Sequence, residues 1–161
     1  MTTFIFILLL FLGSGTLIYQ HRSFEKERCA AITELCVLLE SMEREVASLP
    51  THPTFCGVGE SCPYLVRQGV IDALAKASDI GACMCERLIE LPICEEAGEL
   101  LVGYFSTFGH GERSTEYQGL SHLLTRLRAL AEEERELSKK RERAFDVTVA
   151  CCALCAAIAV I

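Results

Sequence analysis

Ten cysteines and four histidines in 161 residues carry the most reactive chemistry of the chain, so their spacing decides whether a thiol or metal site is encoded. Cys29, Cys36, Cys56, Cys62, Cys83, Cys85 and Cys94 form no C-x-x-C pair among themselves. His21, His52, His110 and His122 are spread too irregularly to complete one. A zinc knuckle needs two close pairs, or one pair with two histidines at helical spacing, because four ligands must reach one ion. Cys29 and Cys36 fall on an apolar helical stripe, where cysteine packs as a small hydrophobe, and Cys151, Cys152 and Cys155 lie in an apolar tail. All ten therefore read as structural, with no metal ligand and no cofactor. Gly109-His110-Gly111 sets two glycines around one residue, but no strand precedes it and the third glycine of a phosphate-binding loop is absent, so it reads as a turn. Glu116 and His122 lie near one another on a helix, yet no nucleophile, base and orienting group assemble from this sequence. No catalytic residue is assigned and no enzymatic activity is expected.

The elements that must hold these residues are helical. Residues 28–49 place Cys29, Ile32, Leu35, Cys36, Leu39, Met42, Val46 and Leu49 at three-four spacing, which draws one continuous apolar face. That helix runs on from the preceding apolar segment, since neither Gly nor Pro separates them, and stops before Pro50, whose ring disfavours helical geometry in the residue ahead of it. Residues 51–59 read as a loop, 64–77 and 80–91 as helices interrupted at Pro92, and 97–108 as a helix closed by Gly109. Thr115 and Gln118 stand at capping-box spacing ahead of Leu120, Leu123, Leu124, Leu127, Leu130 and Leu137, the stripe of a long last helix. No strand pattern occurs, so the fold class is an all-α helical bundle.

Composition narrows the function classes. A net charge of −7 argues against a nucleic-acid binder, and 51% hydrophobic residues with four prolines argue against a disordered chain. The hydrophobicity concentrates at the ends. Residues 4–19 read FIFILLLFLGSGTLIY, and 147–161 read VTVACCALCAAIAVI without a charge. The first has neither the basic start nor the small-x-small exit of a cleaved signal peptide. Both are read as membrane segments: 1–20 an N-terminal transmembrane helix, 21–143 a cytoplasmic helical bundle domain, 144–161 a short C-terminal transmembrane helix. All fifteen Lys and Arg lie between Arg22 and Arg143, so both flanks orient the central region to the cytoplasm.

Two segments carry a family resemblance: 35–50, LCVLLESMEREVASLP, and 104–120, YFSTFGHGERSTEYQGL, set between an apolar start and a basic stretch leading into an apolar tail. Together they resemble the stage III sporulation protein AB family of endospore-forming bacteria. Glu40, Glu45 and Pro50 match its first-helix motif, and Phe108, Gly109, Gly111 and Gln118 its second. The chain departs from the pattern at His110, where the family has Leu, and lacks the Asp ahead of Gln118 in the same form. The resemblance implies a non-enzymatic component of the channel between mother cell and forespore, located in the mother-cell membrane. Its helical domain would be similar to those of type II secretion and type IV pilus platform proteins. Implied partners are other stage III sporulation proteins, including a secretion-type ATPase, and membrane lipid; no nucleic acid or small-molecule substrate is expected. Two other classes remain open on the residues alone: a membrane-bound thiol or metal enzyme using Cys56, Cys62, Cys83, Cys85 and Cys94, and an extracytoplasmic signal-anchored domain.

Overall fold

The computed structural model describes residues 2–48, 57–109 and 113–160, and within them every side chain except those of 2–7, 10, 46–48, 113 and 160. Among the described residues the chain is all-helical and has no strand. The helices are α1 (Thr2–Ser48), α2 (Val58–Ser61), α3 (Pro63–Arg67), α4 (Val70–Lys76), α5 (Ile80–Leu88), α6 (Glu95–Phe105) and α7 (Arg113–Val160). The expected continuity of the first helix holds, for α1 is unbroken. The segment expected as one helix over 64–77 is two: Gly69 adopts φ +73°, a left-handed conformation that ends α3 and opens α4. The expected capping box also fails, because α7 already begins at Arg113 and Thr115 lies inside its first turn.

The chain divides into two compact units, one of Met1–Lys26 with Arg135–Ile161 and one of Glu27–Glu134. In the larger unit the apolar stripe of α1 does what its spacing predicts: Ile32, Leu35, Cys36, Leu39 and Met42 are buried, and Leu38, outside that stripe, is buried with them. They meet Leu65, Leu74 and Met84 of the short helices, Leu101 and Phe105 of α6, and Leu120 and Leu127 of α7 in one core. Each such side chain contributes about 1.5–3 kcal/mol on burial, which offsets the cost of ordering several very short helices that could not persist alone.

Local devices set where the short helices start. Pro63 occupies the first position of α3, where its missing N–H costs nothing. Asp79 caps α5 by accepting from the Ala82 N–H at 2.9 Å. Gly81 then lets α5 pass against the end of α6, for a Cβ there would sit 2.4 Å from the Phe105 carbonyl oxygen.

The smaller unit is a stem of two antiparallel helical stretches. His21 stacks on Phe145 with ring centroids 4.1 Å apart, Glu25 pairs with Arg141 at 3.3 Å, and Arg22 pairs with Asp146. Toward the chain termini the interior turns apolar and small: Leu9, Gly13 and Leu17 share a groove of about 580 Å³ with Val149, Ala153 and Ala156. No helix among the described residues is long and apolar enough to cross a membrane. The spans expected at 1–20 and 144–161 each include an end residue that lies outside the described ones, 1 and 161, and side chains that are not described, those of 2–7 and 10 in the first and of 160 in the second. The uncharged run of the second begins only after Asp146 and falls short of the roughly 20 apolar residues a hydrocarbon core requires.

Candidate functional site

The two segments that carried the sequence reading are both in the larger unit, and they form separate arrangements. Glu40 projects from the half-buried flank of α1, where its carboxylate accepts from Arg128 Nη2 of α7 at 2.5 Å and lies 3.8 Å from Arg44 one turn on. The hydrogen bond to Glu40 raises the Arg128 guanidinium pKa further above its usual value. Beside it, Val37, Glu40, Ser41 and Arg44 of α1 face Gly57, Val58 and Ser61 across a polar groove of about 450 Å³.

Glu45 does not join Glu40 there. At about 100° per residue, five positions carry it roughly 140° round the helix. It is half-buried on another face, so the two carboxylates present no common surface. Pro50 and Gly111 lie outside the described residues.

The second arrangement is a turn closed by Glu116. Phe108 is half-buried against Tyr104 and Phe105, with centroid separations of 5.3–5.7 Å within the three rings. Gly109 adopts φ +88° and donates its N–H to Glu116 Oε1 at 2.8 Å. The Tyr104 hydroxyl donates to the Glu116 backbone carbonyl at 3.1 Å, and burial together with the Glu116 charge pushes that phenol well above the ordinary tyrosine range. Gln118, expected as the capping-box partner of Thr115, is exposed on α7. The residue that does the work is two positions earlier, and an acid in the first turn of a helix was the available signal. Glu116 and Arg128 are twelve residues apart on one helix, about 18 Å along its axis, so the two arrangements are not parts of one site.

Sequence reasoning also missed Glu34. Its two carboxylate oxygens accept from the backbone N–H groups of Tyr64 at 3.0 Å and Leu65 at 2.9 Å, a cap supplied to α3 from α1. Cys62, fully buried, donates its thiol to the Glu34 carbonyl at 3.5 Å. Nothing local to 62–65 announces a partner some thirty residues upstream.

The thiols are set for packing. Burial pushes Cys36 and Cys62 up to about 11 and raises Cys83 as well, so at neutral pH they are protonated and weak as nucleophiles or ligands. Among the described residues no three His, Cys, Asp or Glu side chains gather where they could hold a metal ion. Of the described cysteines, Cys151, Cys152 and Cys155 are exposed on the stem. What these arrangements do chemically is fix geometry: one ion pair ties α1 to α7, one carboxylate closes the α6–α7 turn, and one caps α3. Comparison with protein-family models, with curated proteins and with solved structures finds no match to this chain.

Proposed function

We propose that the protein is a non-enzymatic assembly component, held at a membrane by its two-helix stem and binding protein partners through its helical domain. One observation carries the reading: the stem leaves large apolar side chains bare. Leu9, Leu12 and Val147 are about three-fifths exposed and Ile158 is 73% exposed, with Leu8, Phe11 and Leu154 beside them in sequence at more than half. Apolar area left in water costs about 25 cal/mol per Å², and side chains bared on both helices call for a covering that lipid supplies. Under this reading 1–20 and 144–161 are the membrane segments and the basic flanks keep the helical domain in the cytoplasm. Attachment to a membrane then raises the effective concentration of a weak binder beside its partners.

The finer reading rests on the resemblance of 35–50 and 104–120 alone: a sporulation channel component, akin to secretion platforms, that docks a cytoplasmic ATPase. The groove beside Glu40 and Arg44 is the docking surface to test, because Arg44 is 81% exposed at its rim and Ser61 stands across from it. The experiment is affinity isolation of the tagged full chain from sporulating membranes, wild type against Ser61→Arg, with helicity checked by circular dichroism. Recovery of the ATPase with wild type and its loss with Ser61→Arg is the expected outcome. Equal recovery removes the groove from the reading, recovery in neither removes the channel role, and a chain absent from the membrane fraction removes the anchor.

A further inference from the structure

The two units differ sharply in charge. The stem unit holds seven basic residues against four acidic, whereas the larger unit holds eight basic against eighteen acidic. In a chain of net charge −7, the one positive part is the part that bares apolar side chains.

Within the stem the cations separate into two sets. Arg22, Arg135 and Arg141 already have partners, Arg22 pairing with Asp146 and Arg141 with Glu25, which is 2% exposed. Lys26, Lys139, Lys140 and Arg143 are exposed and have no ion-pair partner among the described residues. The Glu25–Arg141 pair fixes their level: Lys26 follows Glu25 on α1, while Lys139, Lys140 and Arg143 flank Arg141 on α7. Four cations outside any ion pair among the described residues therefore gather within little more than one helical turn, with Glu142 as the one other acid between them. Toward the chain ends the exposed surface becomes apolar, at Val147 on α7 about one turn beyond Arg143, and at Tyr19 and Leu17 on α1 about two turns beyond Lys26. A collar of cations directly above a bare apolar sleeve matches the order of a lipid monolayer, phosphate above acyl chain.

We infer that Lys26, Lys139, Lys140 and Arg143 bind the phosphodiester headgroups of anionic phospholipids, so that the stem selects an anionic membrane over a zwitterionic one. The inference deepens the proposed membrane attachment and rests on it. The internal pairs Arg22–Asp146 and Glu25–Arg141 leave these four side chains as the ones that lipid must neutralise. Ammonium and guanidinium groups attract a phosphate through charge and hydrogen bonds, and a surface of negative lipids multiplies that attraction.

The test is flotation of the full chain, made by cell-free synthesis, with vesicles of phosphatidylcholine alone or with about 30 mol% phosphatidylglycerol. Wild type is expected to partition more strongly to the anionic vesicles, by on the order of fivefold for each cation engaged, and to lose that preference in about 0.5 M salt. The combined variant Lys26→Gln, Lys139→Gln, Lys140→Gln and Arg143→Gln is expected to float with both vesicles equally. Wild type that floats equally with both vesicles at low salt overturns the inference, as does a combined variant that keeps the anionic preference. Wild type that floats with neither overturns the membrane attachment itself, which separates the two failures.

Discussion

Replacing Gly81 by alanine tests the packing of the helical domain at its tightest point. The added methyl would lie 2.4 Å from the Phe105 carbonyl oxygen, with the Phe108 carbonyl oxygen at 3.5 Å. That is about 0.9 Å inside the ~3.3 Å at which carbon and carbonyl oxygen normally meet. Backbone cannot swing aside as a side chain does, so α5 must move away from the end of α6 and loosen the buried Met84, Leu101 and Phe105. Overpacking of this kind costs about 1–3 kcal/mol, with the upper end apt for a clash against backbone, and alanine returns about 1 kcal/mol of helix propensity. The net expectation is a loss of about 2 kcal/mol, or about thirtyfold in the opening equilibrium. The control is the same substitution at Gly103, on the exposed side of α6, where a methyl meets nothing within 4 Å. There the propensity gain stands alone and stability rises by up to about 1 kcal/mol. Labelling of fully buried Cys62 in the detergent-solubilised full chain, followed by mass spectrometry, reads opening of this unit without interference from the exposed stem thiols. Gly81→Ala labelling no faster than wild type would refute the close approach of α5 and α6.

Glu34→Ala is expected to cost about 2–3 kcal/mol, because two part-buried backbone donors of α3 lose a charged acceptor; the same Cys62 labelling checks it, and an unchanged rate removes the cap. Stability should fall with alkali: Cys36 and Cys62 sit at about 11 in the folded chain against an ordinary value of 9.0, so their contribution is whole below about pH 9 and is lost as pH rises toward 11. Guanidinium midpoints followed by circular dichroism on either side of pH 9 measure this, and Cys36→Ala should flatten the slope. The Glu40–Arg128 pair, whose side chains are 29% and 56% exposed, should show a coupling below about 1 kcal/mol in a double-mutant cycle with Glu40→Gln and Arg128→Met, and a coupling above about 2 kcal/mol would contradict its surface character. Gly109→Ala forces a Cβ onto a backbone at φ +88° and is expected to lower the midpoint by an amount equivalent to about 1 kcal/mol.

What the sequence disclosed follows the range of the interaction concerned. The stripes from Ile32 to Met42 and from Leu120 to Leu130 were legible because burial on a helix repeats every three or four residues, and the structure buries them as that period requires. Residues held by partners far along the chain were not legible. Glu34 looks like any acid on a helix until α3 delivers the Tyr64 and Leu65 N–H groups to it, and Gly81 looks like a weak point in a helix until α6 passes within contact. Motif matching misled in two ways. It credited Thr115 and Gln118 with a cap that needs a helix start three residues later than the one formed, and it grouped in one motif Glu40 and Glu45, which the helical period places on different faces. Each error takes adjacency in sequence for adjacency in space, and the stem shows the converse. Lys26 and Lys139 are separated by more than a hundred residues, and it is the Glu25–Arg141 pair that brings them to one level. A site distributed over two distant helical stretches leaves no local motif, so charge segregation between units, rather than any short pattern, is the signal to read in a chain built this way.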